Sequence, residues 1–93
     1  MVKRTIDPTM ASRATIPTTI ARIMASPKFG LGVADVRAGR GRHPSYEHWT
    51  VNEAWNYERG RSWATLAPRN MAIRQGGKVT AEAIAWYRRA DIL

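Results

Sequence analysis

Apolar residues recur three and four positions apart over most of the chain, which is the spacing of helices that pack by one face. The first such group is Ile20, Ile23 and Met24, and Pro17 ahead of it suits the first turn of a helix. We therefore predict a short helix over residues 17–25 that packs on the core.

A second helix is predicted to begin at Ser26-Pro27, because serine is a preferred N-cap and proline fits the first helical position. It runs to about Ala38, and Gly39 is the left-handed residue that ends it. Four positions at i, i+3, i+4 and i+7 form its inner face: Phe29, Gly32, Val33 and Val36.

This second helix contains two glycines, Gly30 and Gly32. Each costs about 1 kcal/mol relative to alanine inside a helix, so the pair needs a reason. We interpret them as positions where a second backbone comes close. Approach of a ligand backbone is the alternative.

The third helix has the clearest start, because Thr50 and Glu53 have the spacing of a capping box. It runs to about residue 67, where Pro68 ends it. Its apolar line consists of Val51, Trp55, Ser62 and Leu66, with Trp63 at the edge of that face and Gly60 towards the other side. Both tryptophans are expected in the core, and base-stacking platforms are the alternative.

Residues 69–79 have few apolar positions before Gly76-Gly77, so they form a linker with at most a short turn of helix or strand. Thr80 then caps a last helix over residues 80–93. Its buried face is Ala83, Trp86, Tyr87 and Ala90.

Together these elements predict an all-α protein, a small bundle of three to four helices. Its centre is an antiparallel helix pair over residues 27–67, joined by an arginine- and glycine-bearing turn. Residues 16–93 form a single small helical domain. Residues 1–15 have no sustained period and are predicted to be an irregular basic arm.

Charge narrows the range of partners. The chain has 93 residues, with 15 Lys plus Arg against 7 Asp plus Glu, which gives a net charge of +8. Twelve of the fifteen basic residues are arginine, whose planar fork matches phosphate and carboxylate. These features favour nucleic acid or an acidic protein as a partner, although a GC-rich genome also enriches arginine.

The sequence offers little for catalysis. It has no cysteine, and its densest group of metal-ligating residues, His43, Glu47 and His48, lacks the spacing of familiar zinc motifs. Gly76 to Thr80 lacks the spacing of a nucleotide-triphosphate loop, and no apolar run is long enough to span a membrane. We predict a non-enzymatic protein with no cofactor, no metal, no small-molecule substrate and no membrane partner.

Arginines and aromatic residues alternate around the predicted turn and the third helix. Such a surface can bind phosphates and stack on exposed bases. The predicted contact residues are Arg37, Arg40, Arg42, Tyr46, Arg59 and Arg61, with Trp49 and Tyr57 beside them. The alternative is that these arginines are spread around a small basic protein and form no common site.

Glycines, arginines and aromatics follow one another in this region in a fixed order: Gly32, Gly39-Arg40, Pro44 with Tyr46, Trp55, Gly60 and Trp63. This order is similar to that of the ribosome modulation factor family. Small phage and prophage proteins are similar too, through Ala38-Gly39-Arg40 and the run from Trp55 to Arg61. The resemblance implies a helix pair joined by a loop and a ribosome as partner.

The leading hypothesis is therefore a small basic RNA- or ribosome-binding protein of the bacterial cytoplasm. An alternative from another class is a phage-encoded inhibitor of a host protein complex, such as an anti-CRISPR or another counter-defence protein. An enzyme is the least favoured class, because no catalytic constellation is evident.

Overall fold

The computed structural model describes residues 19–92, and the predicted arm at residues 1–15 lies outside them. Within these residues, four helices form the fold, together with a short 3₁₀ helix and two short strands. They are α1 (Ile20–Ala25), α2 (Pro27–Arg37), the 3₁₀ helix Tyr46–His48, α3 (Val51–Leu66), β1 (Arg74–Gln75), β2 (Lys78–Val79) and α4 (Ala81–Arg89).

The start and stop signals act as their chemistry predicts. Four hydroxyl residues accept from amides in the first turns of the four helices: Thr19, Ser26, Thr50 and Thr80. The capping box is confirmed, with the Glu53 amide 3.1 Å from Thr50 Oγ1 and the Thr50 amide 2.9 Å from Glu53 Oε1. Gly39 has φ 73° just after α2, as its role as a stop requires. The last helix is shorter than predicted and ends at Arg89.

A small β-hairpin corrects the prediction that the protein is all-α. Arg74 pairs with Val79 and Gln75 with Lys78 in an antiparallel ladder. Gly76 and Gly77 have φ 60° and 81°, and two successive positive φ values suit a two-residue hairpin turn. The fold is mostly helical, but the segment 69–79 contains a two-stranded sheet.

The central helix pair is not antiparallel, which is a second correction. Near the start of both helices, Lys28 forms an ion pair with Glu53 at 3.7 Å. Near the other end, the Arg37 guanidinium donates to the Met71 carbonyl at 2.8 Å. Both starts lie together and both ends lie together, so α2 and α3 run in the same general direction. The connection, residues 38–50, must therefore travel back along the pair.

The two helices cross at glycines. A Cβ on Gly32 would collide with the carbonyl oxygen of Tyr57, and one on Gly60 would collide with the carbonyl oxygen of Phe29. The predicted close approach of a second backbone is confirmed at Gly32. Gly30 has nothing within 4 Å of its Cβ position, so that prediction is wrong there.

Around this crossing lies the core. Phe29 and Trp63 are fully buried, with ring centroids 6.1 Å apart. Tyr87 of α4 packs against Phe29 at 6.2 Å, and Trp63 Nε1 donates to the Ala83 carbonyl at 2.9 Å. Helix α1 adds Ile23 and Met24 to the same cluster, so all four helices meet at one core.

The buried face of α3 differs from the predicted one. The residues it buries are Asn56, Tyr57, Gly60, Trp63 and Ala64. Most of the predicted apolar line faces solvent instead: Val51 is 76% exposed, Trp55 51% and Leu66 54%. Because α3 has apolar residues on both faces, hydrophobicity alone does not determine which face is buried. The backbone contact at Gly60 determines it, since this contact places the glycine side of α3 against α2.

Substitution of the glycines tests the crossing. Gly60→Ala should lower the free energy of unfolding by about 3 kcal/mol, because the new methyl group meets backbone that cannot move aside. Gly30→Ala is the matched control and should raise it by about 1 kcal/mol through helix propensity. Urea unfolding followed by circular dichroism measures both. Equal effects of the two substitutions would contradict a glycine-dependent crossing.

Candidate functional site

Four of the predicted contact residues lie together beside the segment that connects α2 to α3 and runs back along the helix pair. We call this set the return-segment surface: Arg40, Arg42, Tyr46 and Arg61. Gly39 starts the segment and the 3₁₀ helix lies near its end, and between them the chain follows the side of α3. The arginines are therefore arranged beside a helix rather than at the tip of a hairpin.

A buried carboxylate holds the start of this surface. Asp35 of α2 is 2% exposed, and Tyr57 of α3 donates its hydroxyl hydrogen to Asp35 Oδ2 at 2.6 Å. Arg40 donates from Nε to Asp35 Oδ1 at 2.9 Å. The Tyr57 oxygen in turn accepts from the His43 amide at 2.9 Å. One acid thus links α2, α3 and the returning chain.

This network shifts the pKa values of its members. The hydrogen bond from Tyr57 is the main cause that lowers the pKa of Asp35, and Arg40 adds to it against the opposing effect of burial. Burial is the main cause that raises the pKa of Tyr57, and its bond to Asp35 acts in the same direction. Asp35 is therefore a carboxylate and Tyr57 a neutral phenol at neutral pH.

A second acid fixes the middle of the surface. Arg42 and Glu58 form an ion pair at 2.5 Å, and Tyr46 donates to the same carboxylate oxygen at 3.2 Å. The Arg42 guanidinium also lies 4.8 Å from the centre of the Tyr46 ring. Arg40 and Arg42 remain 59% and 60% exposed in their side chains, so both guanidiniums still face solvent.

Arg61 has a different role, because its partners are carbonyl groups. Its guanidinium donates to the carbonyls of Arg40 at 3.2 Å and Gly41 at 3.3 Å. This contact ties the returning chain to α3 and leaves its own charge without an acidic partner among the described residues.

The remaining predicted contact residues lie elsewhere. Arg37 reaches past the end of α3 to the carbonyls of Pro68 and Met71, and its Nε is buried. Arg59 lies over Trp55 and donates to the Asn56 side chain at 3.0 Å. The six residues thus form one group of four and two separate positions.

The two aromatic residues expected beside the arginines are not exposed platforms. Tyr57 is fully buried, which corrects its placement in a surface. Trp49 is half-buried, with its ring 5.0 Å from Tyr57, 5.2 Å from His43 and 4.7 Å from the Lys28 ammonium. These rings hold the returning chain in place.

A second basic region was missed by the sequence reasoning. We call it the hairpin surface: Arg22 of α1 with Arg69, Arg74 and Lys78. Arg74 donates to the Ala25 carbonyl at the end of α1, which joins the hairpin to that helix. None of the four forms a salt bridge with an acid within residues 19–92. The sequence signal was available, since no acidic residue occurs between Glu58 and Glu82.

The described part of the chain places no three His, Asp or Glu side chains where they could hold a metal ion. Of the candidate group at residues 43–48, His43 uses Nδ1 to accept from the Ser45 amide at 3.0 Å. No helix within residues 19–92 is both long and apolar enough to cross a membrane.

Comparison of the chain with protein-family models, with curated proteins and with solved structures finds no match.

The hydroxyl group of Tyr57 is predicted to stabilise the whole site. Tyr57→Phe should lower the free energy of unfolding by about 1–3 kcal/mol, because Asp35 and the His43 amide both lose a buried partner. Tyr46→Phe, which removes a half-buried hydroxyl bonded to Glu58, is the matched control and should cost less than about 1 kcal/mol. Urea unfolding at pH 7 compares them, and an equal loss would contradict the network.

Asp35 should also make the free energy of unfolding depend on pH. Its folded-state pKa is below the ordinary value, so its contribution is complete above about pH 4 and is lost as pH falls through the folded pKa. Asp35→Asn should therefore be less stable than the parent protein at pH 7, and the difference should shrink below about pH 4. Unfolding free energies at pH 7 and pH 3 measure it. A difference that grows at pH 3 would contradict a lowered pKa.

Proposed function

We propose that this protein is a small, non-enzymatic RNA-binding protein of the ribosome-modulation-factor type, with ribosomal RNA as its target in the bacterial cytoplasm. The observation that carries the proposal is that the return-segment surface presents ordered arginines to solvent. Its arginines are held by fixed contacts, yet Arg40 and Arg42 keep more than half of each side chain exposed. Guanidiniums already ordered before binding lose less entropy when they meet phosphate.

The charge balance supports the same proposal. Residues 19–92 contain twelve basic and six acidic side chains. Lys28, Arg40 and Arg42 form ion pairs with acids, and the basic residues outnumber the acidic ones two to one. The surplus attracts a polyanion over distances of about 8–10 Å at moderate salt.

The hairpin surface adds four more cations to the basic area. Within residues 19–92 these four form no salt bridge with an acid, whereas Arg40 and Arg42 of the return-segment surface each have an acid partner. We assign the specific phosphate contacts to the ordered arginines and a general attraction to the hairpin cations. This division of roles can be tested, because the two sets lie on different elements.

Affinity for ribosomal RNA should fall steeply with salt. If four cations each neutralise one phosphate, a plot of log K against log salt concentration should have a slope of about −3. Filter binding with purified ribosomal RNA between about 50 and 300 mM salt measures this slope. A slope near zero would contradict phosphate recognition.

Matched variants locate the contact. Arg42→Ala removes one charge from the return-segment surface and should weaken RNA binding about fivefold at 100 mM salt. Lys78→Ala removes one charge from the hairpin surface and should weaken it only about twofold. Both variants leave the buried Asp35 network intact, so circular dichroism should show folded protein. A larger loss in Lys78→Ala would move the site to the hairpin.

The alternative, an inhibitor that binds a host protein complex, makes a different prediction. A tagged copy of the chain should recover ribosomal RNA from lysate, and nuclease treatment should remove it. Recovery of one host protein in a fixed ratio after nuclease treatment would overturn the RNA proposal in favour of the inhibitor.

A further inference from the structure

The solvent-facing side of α3 has an apolar stripe that no element within residues 19–92 covers. We call it the outer stripe: Val51, Trp55, Glu58, Arg59, Ser62 and Leu66. At about 100° per residue, it lies on the opposite side of the helix from Gly60. Three of its members are large apolar side chains more than half exposed. Exposure of a tryptophan, a leucine and a valine in one line indicates a binding surface.

The outer stripe is symmetric about a point between Glu58 and Arg59. Val51 and Leu66 lie equally far from that point, and so do Trp55 and Ser62. If two copies of α3 pack antiparallel about this point, each residue meets its counterpart. Val51 then faces Leu66, Trp55 faces Ser62 and Glu58 faces Arg59.

We propose that the outer stripe binds a second copy of this chain in a two-fold symmetric, antiparallel dimer. Each pairing in that arrangement is complementary. An aliphatic residue meets an aliphatic residue, the largest side chain meets a small one, and an acid meets a base. A two-fold interface requires a surface complementary to itself, and the outer stripe has that property.

The surface shape fits the same arrangement. A groove runs beside Ser62 between α3 and the end of α4, and its walls include Leu66, Ala90 and Ile92. In the antiparallel register the partner copy's tryptophan is directed at this groove. Trp55 of each copy would thus fill a site on the other, as aromatic anchors do at the centres of interfaces.

The length of the outer stripe sets the expected strength of dimerisation. Fifteen residues separate Val51 from Leu66, which is about 22 Å of helix. Contact over one helix face is at the small end of specific interfaces. We therefore expect an exchanging dimer whose population depends on concentration in roughly the micromolar range.

Sedimentation equilibrium of the full chain, free of nucleic acid, tests the dimer. The mass should rise from one copy to two between about 1 and 500 µM. Trp55→Ser should weaken dimerisation roughly thirtyfold, and the exposed site should leave the circular dichroism spectrum unchanged. A single copy at every concentration would overturn the proposal.

An exchange of the two side chains tests the register. The double variant Trp55→Ser, Ser62→Trp puts serine opposite tryptophan again, so it should restore dimerisation to within about threefold of the parent protein. A different partner that recognises tryptophan at position 55 would not be restored. Failure of the double variant while it remains folded would overturn the antiparallel register.

Engineered cysteines test the direction of packing, because the natural sequence has none. A mixture of Val51→Cys and Leu66→Cys chains should form a mixed disulfide under mild oxidation. Neither variant alone should cross-link to itself, since identical positions lie about 22 Å apart in this register, well beyond disulfide reach. Self-linked Val51→Cys chains would indicate a parallel pair instead. These readouts use no RNA, so their failure leaves the RNA proposal untouched.

Discussion

The fold depends on the close contact of two helix backbones at Gly32 and Gly60. Each glycine lies against a carbonyl of the other helix, which leaves no room for a Cβ. Such an approach fixes both the rotation of α3 about its axis and its position along α2. From this follow the burial of Phe29 and Trp63 in one core and the exposure of the opposite side of α3. A chain of this size has few other ways to fix two helices, because its core is small.

The same crossing explains where the arginines lie. Because α2 and α3 run in the same general direction, the chain between them must travel back along the pair rather than turn at its tip. A returning segment whose only regular structure is one short 3₁₀ helix needs further partners for its backbone groups. The buried Asp35 supplies a charge that Arg40 and the Tyr57 hydroxyl satisfy, and Arg61 supplies donors for the carbonyls of the segment. The order of the return-segment surface is thus a consequence of α2 and α3 running in the same general direction.

Sequence reasoning predicted local features well and relative orientation poorly. The caps at Ser26, Thr50 and Thr80, and the stop at Gly39, depend on contacts within a few residues, so their chemistry can be read from the chain. The buried face of α3 and the direction of the helix pair depend on contacts between distant residues. Gly60 was the available signal for the correct face, since a helix-packing glycine must face its partner. A short strand in residues 69–79 was left open, but the pairing of two strands was not predicted, because strands of two residues are too short to show alternation.

The excess of arginine over lysine now has a structural explanation besides genome composition. Four arginines donate to backbone carbonyls that connect one segment to another, and two more hold acids beside the returning chain. Lysine offers three donors on a compact ammonium, whereas arginine offers five donors on a planar guanidinium. A guanidinium with five donors can satisfy such a carbonyl or carboxylate and still present donors to solvent. Structural contacts would therefore not compete with the proposed phosphate binding for the same side chains.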